Sequence, residues 1–157
     1  MTRRPLLFLD VDGVLNPYGY SRRPPGFNEH HLFPGEEPVL LNPAHGAWIT
    51  ELTRVYDVTW ATAWSEDANR LLAPLLAVAP LPILAMPPPP FHPSAKVTRI
   101  AELCRHRPAA WIDDQHTSEA LNWADNRSDP TLLITIDPAT GLTRASIDQA
   151  LTWATSL

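Results

Sequence analysis

Few folds can accommodate the stretch Leu6-Leu7-Phe8-Leu9-Asp10-Val11-Asp12-Gly13-Val14-Leu15-Asn16, in which an uninterrupted apolar run rises directly into two carboxylates and a glycine turn. An apolar run of this length bounded by turn chemistry predicts a fully buried strand. Asp10 and Asp12 then sit where that strand leaves its sheet, and in open parallel sheets that carboxyl edge is where ligands bind. Strand alternation points both carboxylates to one side, with Val11 between them pointing away. Two like charges so close call for a cation or a shared proton. The plain alternative for this stretch alone is an Asp-Gly turn with a spare acid.

The rest of the chain alternates strand and helix. Strands are predicted at 6–9, 57–61, 81–84, 109–112 and 131–136, from short apolar or β-branched runs such as Thr131-Leu132-Leu133-Ile134-Thr135-Ile136. Helices are predicted between them. Asn42-Pro43 is a start signal for one that carries Trp48, Leu52 and Val55 at helical spacing to about Tyr56. Ser65, with Glu66 and Asp67 in its first turn, opens another toward Leu76. Ser94 caps a third, with Lys96 in its first turn and Val97, Ile100, Ala101 and Cys104 on one face. A fourth spans about 117–124, and Ile147, Ala150, Leu151 and Ala154 define the last. Five strand–helix alternations argue for one domain over 1–157, a three-layer α/β fold with a five-stranded parallel sheet and helices on both faces. Asp10 and Asp12, Thr62, and Asp113-Asp114 all follow strands, so all belong to one sheet edge, and Lys96 reaches it from its helix start.

Composition narrows the classes. A chain of 157 residues with 45% hydrophobic residues can bury a real core. A net charge of -5 argues against indiscriminate attraction to nucleic acid or membrane, though not against a local basic patch. One cysteine, Cys104, excludes an internal disulfide framework, and neither a signal peptide nor a membrane span is visible, so a cytoplasmic protein is expected. The 18 prolines cluster between elements, as at Pro24-Pro25 and Pro87 to Pro90, and mark stiff loops. Among 12 basic residues a single lysine, Lys96, stands against arginine everywhere else, which fits a need for a compact ammonium. His30-His31, His92 and His116 lack partners at zinc spacing, and Cys104 is expected buried.

In this order and setting the motifs resemble those of the haloacid-dehalogenase-like (HAD) phosphatase superfamily. Its first motif is matched by Asp10-Val11-Asp12-Gly13-Val14-Leu15, its second by Thr62, its third by Lys96 and its fourth by Asp113-Asp114. A narrower resemblance lies in Trp60-Ala61-Thr62-Ala63-Trp64, Asp137-Pro138 and Gly141-Leu142-Thr143, which look similar to a group of small HAD proteins whose relatives are proposed to act in RNA repair. The resemblance implies a Rossmann-like sheet and a phosphohydrolase. In it Asp10 is the nucleophile that forms an aspartyl-phosphate, and Asp12 is the general acid and base. Mg2+ is held by Asp10, the Asp12 backbone carbonyl and Asp113, with Asp114 direct or through water. Thr62 donates to a phosphate oxygen, and Lys96 neutralises phosphate and Asp10. Simple charge arithmetic agrees, since four carboxylates against one lysine cannot hold a phosphate dianion without a metal. The acid at Asp12 favours phosphate esters over the dehalogenase and P-type ATPase branches. Each residue keeps a duller alternative: Thr62 as a strand-end cap, Lys96 as a solvated helix residue, Asp113-Asp114 as caps of the following helix.

Residues 17–41 show no clean period and read as a flap, not as a full cap domain. Long loops in compact domains are usually functional or disordered. A capless site suits a large substrate such as a nucleotide, a nucleic-acid end or a protein, or closure by a second subunit in a homodimer. Arg22 and Arg23, with Tyr18, Tyr20 and Phe27, would give the flap charge and stacking surface for a nucleotide, unless the arginines are merely solvated. Gly13, Asn16 and Trp64 join Arg22 and Arg23 as candidate substrate contacts, while Trp60 reads as core. Two other functions remain open: a small-metabolite phosphatase closed by flap or partner, and a non-catalytic phosphate- or partner-binding module, since fold alone does not establish activity.

Overall fold

A computed structural model describes residues 3–157. Its main sheet is parallel, with strand order β4-β1-β5-β6, where β1 is Leu6–Leu9, β4 Asp57–Trp60, β5 Ala109–Asp113 and β6 Thr131–Thr135. β1 is central and wholly buried, which is why its sequence is apolar at every position. One face packs Leu7 and Leu9 under α1 (Ala44–Thr53), α2 (Ala73–Leu76) and α5 (Arg144–Thr155). The other packs Leu6, Phe8 and Trp111 under α3 (Ala95–Cys104) and α4 (Ser118–Asn126), where Ile100, Cys104 and Ala120 are buried. The three layers follow the expected Rossmann-like architecture. No helix among the described residues is long and apolar enough to cross a membrane.

Register aligns the site. Leu9 lies opposite both Trp60 and Ile112, so the next residues out, Asp10, Ala61 and Asp113, emerge level with one another. The backbone confirms the alignment, with Asp10 N–H donating to Ile112 O at 3.1 Å and Ala61 N–H to Leu9 O at 2.8 Å.

The count of five strands is corrected to four. In the stretch 81–84 only Ile83 bridges to Trp60. Asn69 takes both backbone groups of Leu81, its Oδ1 accepting the N–H at 2.9 Å and its Nδ2 donating to the carbonyl at 2.7 Å. Pro82 has no N–H to add. The helix expected from Ser65 forms: Ser65 closes a turn with a left-handed φ of 50°, Glu66 and Asp67 are helical, and a π-helical stretch, Ala68–Leu72, carries the helix into α2. Ser94 occupies the cap position of α3, but its hydroxyl pairs with His92 Nδ1 at 2.7 Å and caps nothing. The segment 17–41 is not wholly irregular: β2 (Asn28–His30) and β3 (Val39–Leu41) pair antiparallel within it.

His45, in the first turn of α1, ties this segment to the domain. Its ring is fully buried, edge-on to Phe27 at 5.6 Å, and its Nε2 pairs with Leu142 O at 3.0 Å. Nδ1 has no partner, so a second ring proton would be buried unsatisfied, beside a helix N-terminus that repels positive charge. Burial accordingly drops its pKa from 6.5 to about 4. The unfolded chain therefore binds the proton first as pH falls. The stability His45 contributes is whole above pH 6.5 and is lost as pH falls toward about 4. The shift corresponds to a loss of about 3 kcal/mol at full protonation, given about 1.4 kcal/mol per pKa unit. Urea unfolding of wild type and His45→Gln between pH 7 and pH 4 should show this slope only in wild type; parallel curves would contradict it.

Candidate active site

Asp10, Lys96 and Asp113 form a buried ion cluster at the carboxyl edge of the sheet. Lys96 Nζ lies 3.2 Å from Asp10 Oδ1 and 2.8 Å from Asp113 Oδ2. All three residues are less than a tenth exposed. The first turn of α3 delivers the lysine, while β1 and β5 deliver the acids. Asp113 is further fixed by Trp111 Nε1, which donates to Oδ2 at 3.1 Å, and by Gln115 N–H, which donates to Oδ1 at 3.0 Å. Helix α4 takes its cap from Thr117, whose hydroxyl oxygen accepts Ala120 N–H at 3.3 Å, so neither Asp113 nor Asp114 is spent as that cap.

Electrostatics follow from burial and pairing. Burial pushes the Asp10 carboxyl well above the usual carboxylate range, against the pull of Lys96 and with Asp113 adding to the push. Burial acts on Asp113 in the same sense, but the Lys96 ammonium, by charge and hydrogen bond, outweighs it and holds Asp113 low. Burial also opposes the Lys96 charge, yet Asp10 and Asp113 together hold its pKa above the ordinary amine value. Asp114, half-buried, is raised chiefly by burial.

Asp114 approaches through a glycine. Gly13 has a φ of +80°, and a Cβ there would collide with the Asp114 side chain. Gly13 thus serves by leaving room for Asp114, whose Oδ2 accepts a hydrogen bond from Tyr18. Oxygens of Asp10, Asp113 and Asp114 all lie within 4.8 Å of one another. Three clustered carboxylates against one ammonium are a donor set for a hard divalent cation, so the residues fit the metal that the resemblance implies.

A pocket of about 180 Å³ opens over the cluster, lined by Asp10, Asp12, Thr62, Lys96, Asp113 and Asp114. Thr62 is buried, and its Oγ accepts Trp64 N–H at 3.2 Å, which leaves the hydroxyl proton free. Asp12 is exposed and carries two hydrogen bonds, from Asn16 Nδ2 at 3.0 Å and Trp64 Nε1 at 3.1 Å. Asn16 and Trp64 therefore reach the site through Asp12. Arg22 and Arg23 are exposed and outside the pocket lining, and Arg23 is paired with Glu29. Trp60 is core. Phe91 and Gln115 line the pocket unforeseen; Phe91's place between the Pro87–Pro90 run and Lys96 was the signal for it.

A buried Asp–Lys–Asp cluster beyond the central strand of a parallel sheet, with a threonine and a further acid beside it, defines a HAD-like domain. Over residues 6–147 the chain matches the family described as the HAD domain in Swiss Army Knife RNA repair proteins, and it belongs to that family. No curated protein matches it. Membership implies phosphohydrolase-type activity, and HAD domains generally use a divalent metal.

Proposed function

We propose that this chain is a Mg2+-dependent phosphohydrolase that works through phosphorylated Asp10 on the terminal phosphate of a nucleotide or polynucleotide. The observation that carries this reading is the Asp10–Lys96–Asp113 cluster at the floor of the pocket. Asp10, Asp113 and Asp114, with the Asp12 carbonyl, would hold the ion, which supplies the positive charge that clustered carboxylates and a phosphate dianion need. An Asp10 oxygen forms a bond to phosphorus as the bond from phosphorus to the leaving oxygen breaks. That oxygen keeps the electron pair and takes a proton from Asp12. Water then attacks phosphorus and gives a proton back to Asp12, the bond to Asp10 breaks, and inorganic phosphate leaves. Lys96 offsets charge on Asp10 and the phosphoryl oxygens, and Thr62 donates its free hydroxyl proton to one of them.

Pocket size supports a substrate whose bulk stays outside. A volume of about 180 Å³ accommodates a phosphoryl group and its nearest atoms, whereas sites that enclose a drug-sized ligand run to about 300–1,000 Å³. Tyr18 and Phe91 line it, and aromatic side chains there suit stacking of a base. The family description, with its RNA repair proteins, points the same way.

The test is phosphate release from 5′- and 3′-phosphorylated oligoribonucleotides against a panel of small phosphorylated metabolites, each with Mg2+ and with chelator. Faster release from oligonucleotides, abolished by chelator, is expected. A preference for metabolites would make this a small-molecule phosphatase, and no release from any substrate would make it a binding module. Asp12→Asn should slow turnover by roughly two to four orders of magnitude, the usual range for general acid–base help. An unaltered rate would remove Asp12 from the chemistry.

A further inference from the structure

Asp12 is exposed, and an exposed carboxylate ordinarily samples several staggered rotamers. Here both oxygens are engaged, Oδ1 by Asn16 Nδ2 and Oδ2 by Trp64 Nε1. Neither donor can exchange roles. An indole nitrogen only donates, and Asn16 Oδ1 already accepts Leu40 N–H at 2.9 Å, which turns the amide nitrogen toward Asp12. Each carboxylate oxygen keeps a second lone-pair direction for the proton it must carry.

Both donors answer to the segment 17–41. Leu40 belongs to β3, so the backbone of that strand sets the Asn16 amide. Phe33, between β2 and β3, packs against the Trp64 indole with ring centroids 5.4 Å apart. The segment thus touches Asp12 by two separate routes, one through each oxygen.

We propose that Trp64 and Asn16 are positioning residues for Asp12, and that the segment 17–41 acts on the reaction through them, by Leu40 and Phe33. This rests on the reading of Asp12 as general acid. In the step concerned, the Asp12 proton passes to the leaving oxygen as its bond to phosphorus breaks. A basic leaving oxygen depends on that proton, whereas an acidic phenoxide departs without it. A carboxylate freed to wander therefore slows poor leaving groups selectively, while a general loss of binding or folding slows all substrates alike.

The experiment measures kcat/KM with Mg2+ over substituted phenyl phosphates, from para-nitrophenyl to unsubstituted phenyl phosphate. Trp64→Phe keeps the ring against Phe33 and removes the N–H. It should lower the rate for phenyl phosphate by about tenfold, the scale of one hydrogen bond to a charged group, and that for para-nitrophenyl phosphate by less than about twofold. Phe33→Ala should show the same slope at about threefold, and should add nothing in the Trp64→Phe background, because it acts through that N–H. A uniform loss across the series, or additive losses in the double variant, would overturn the proposal. A crystal structure of Trp64→Phe gives a readout independent of turnover. More than one Asp12 rotamer is expected, and a single unmoved rotamer would overturn it. Failure of the nucleophile assignment is seen elsewhere, as turnover surviving in Asp10→Asn, so the two outcomes are distinguishable.

Discussion

Asp10→Asn should abolish phosphate release, lowering it by at least about a thousandfold, on the scale seen when a covalent nucleophile is removed. The substitution is nearly isosteric and replaces a carboxylate oxygen by an amide that cannot attack phosphorus at a useful rate. It leaves the Val11 turn and the burial of the side chain in place, so the variant should fold. Two readouts make the test sharp. Intact mass spectrometry after rapid acid quench should find a phosphorylated chain in wild type and none in the variant. Steady-state release from para-nitrophenyl phosphate should fall to background. Undiminished turnover in the variant would mean that the Asp10 carboxylate is a metal ligand or a structural acid, and that some other group attacks phosphorus.

Lys96→Met should produce the largest stability change of any single substitution in the site. Lys96 lies between two buried carboxylates at 3.2 and 2.8 Å. Removing one partner of a buried pair leaves uncompensated charge and costs about 3–5 kcal/mol. In a chain of 157 residues that corresponds to a fall in Tm of about 10 °C. Conditions should move the deficit in a defined direction. Without the ammonium, the strongest pull against the burial that already raises Asp10 is gone, so the carboxyl is relieved by protonation and the deficit should shrink as pH is lowered from 8 toward 5. Millimolar Mg2+ should narrow it as well, by supplying the missing charge to Asp10, Asp113 and Asp114. Calorimetry at two pH values, with and without Mg2+, reads all three effects. A Tm within about 2 °C of wild type under every condition would show that Lys96 does not carry the local charge balance.

The participants of the cluster were legible because each motif sits at a punctuation point of the fold. Asp10 and Asp113 end apolar runs, Thr62 follows one, and Lys96 falls in the first turn after a proline-rich connector. Errors arose where side chains compete with backbone. The stretch 81–84 reads as a strand until Asn69 captures both backbone groups of Leu81, and that capture depends on where a helix happens to lie. Ser65 followed by two acids reads as a helix start, and the helix does run on from Glu66, though nothing local announces its π-helical stretch. Trp64 and Asn16 read as candidate substrate contacts, and the structure adds that both hydrogen-bond Asp12, a partner nothing in their own neighbourhood announces.

From sequence alone came the candidate residues: which acids, which lysine, which threonine, and the parallel sheet whose edge they share. Alternation of strand and helix implies the parallel sheet, strand-end turns place these residues at its edge, and the resemblance to the HAD superfamily implies their roles. Tertiary structure decided the electrostatics and the wiring. Lys96 is raised, Asp113 lowered and Asp10 raised well above its ordinary value because hydrogen-bond register brings β1 level with β5 and helix packing buries the cluster between them. The hold on Asp12 exists only because a segment remote in the chain folds back to present Phe33 and Leu40. Contacts between distant segments are set by packing of the whole chain, and no local pattern encodes them.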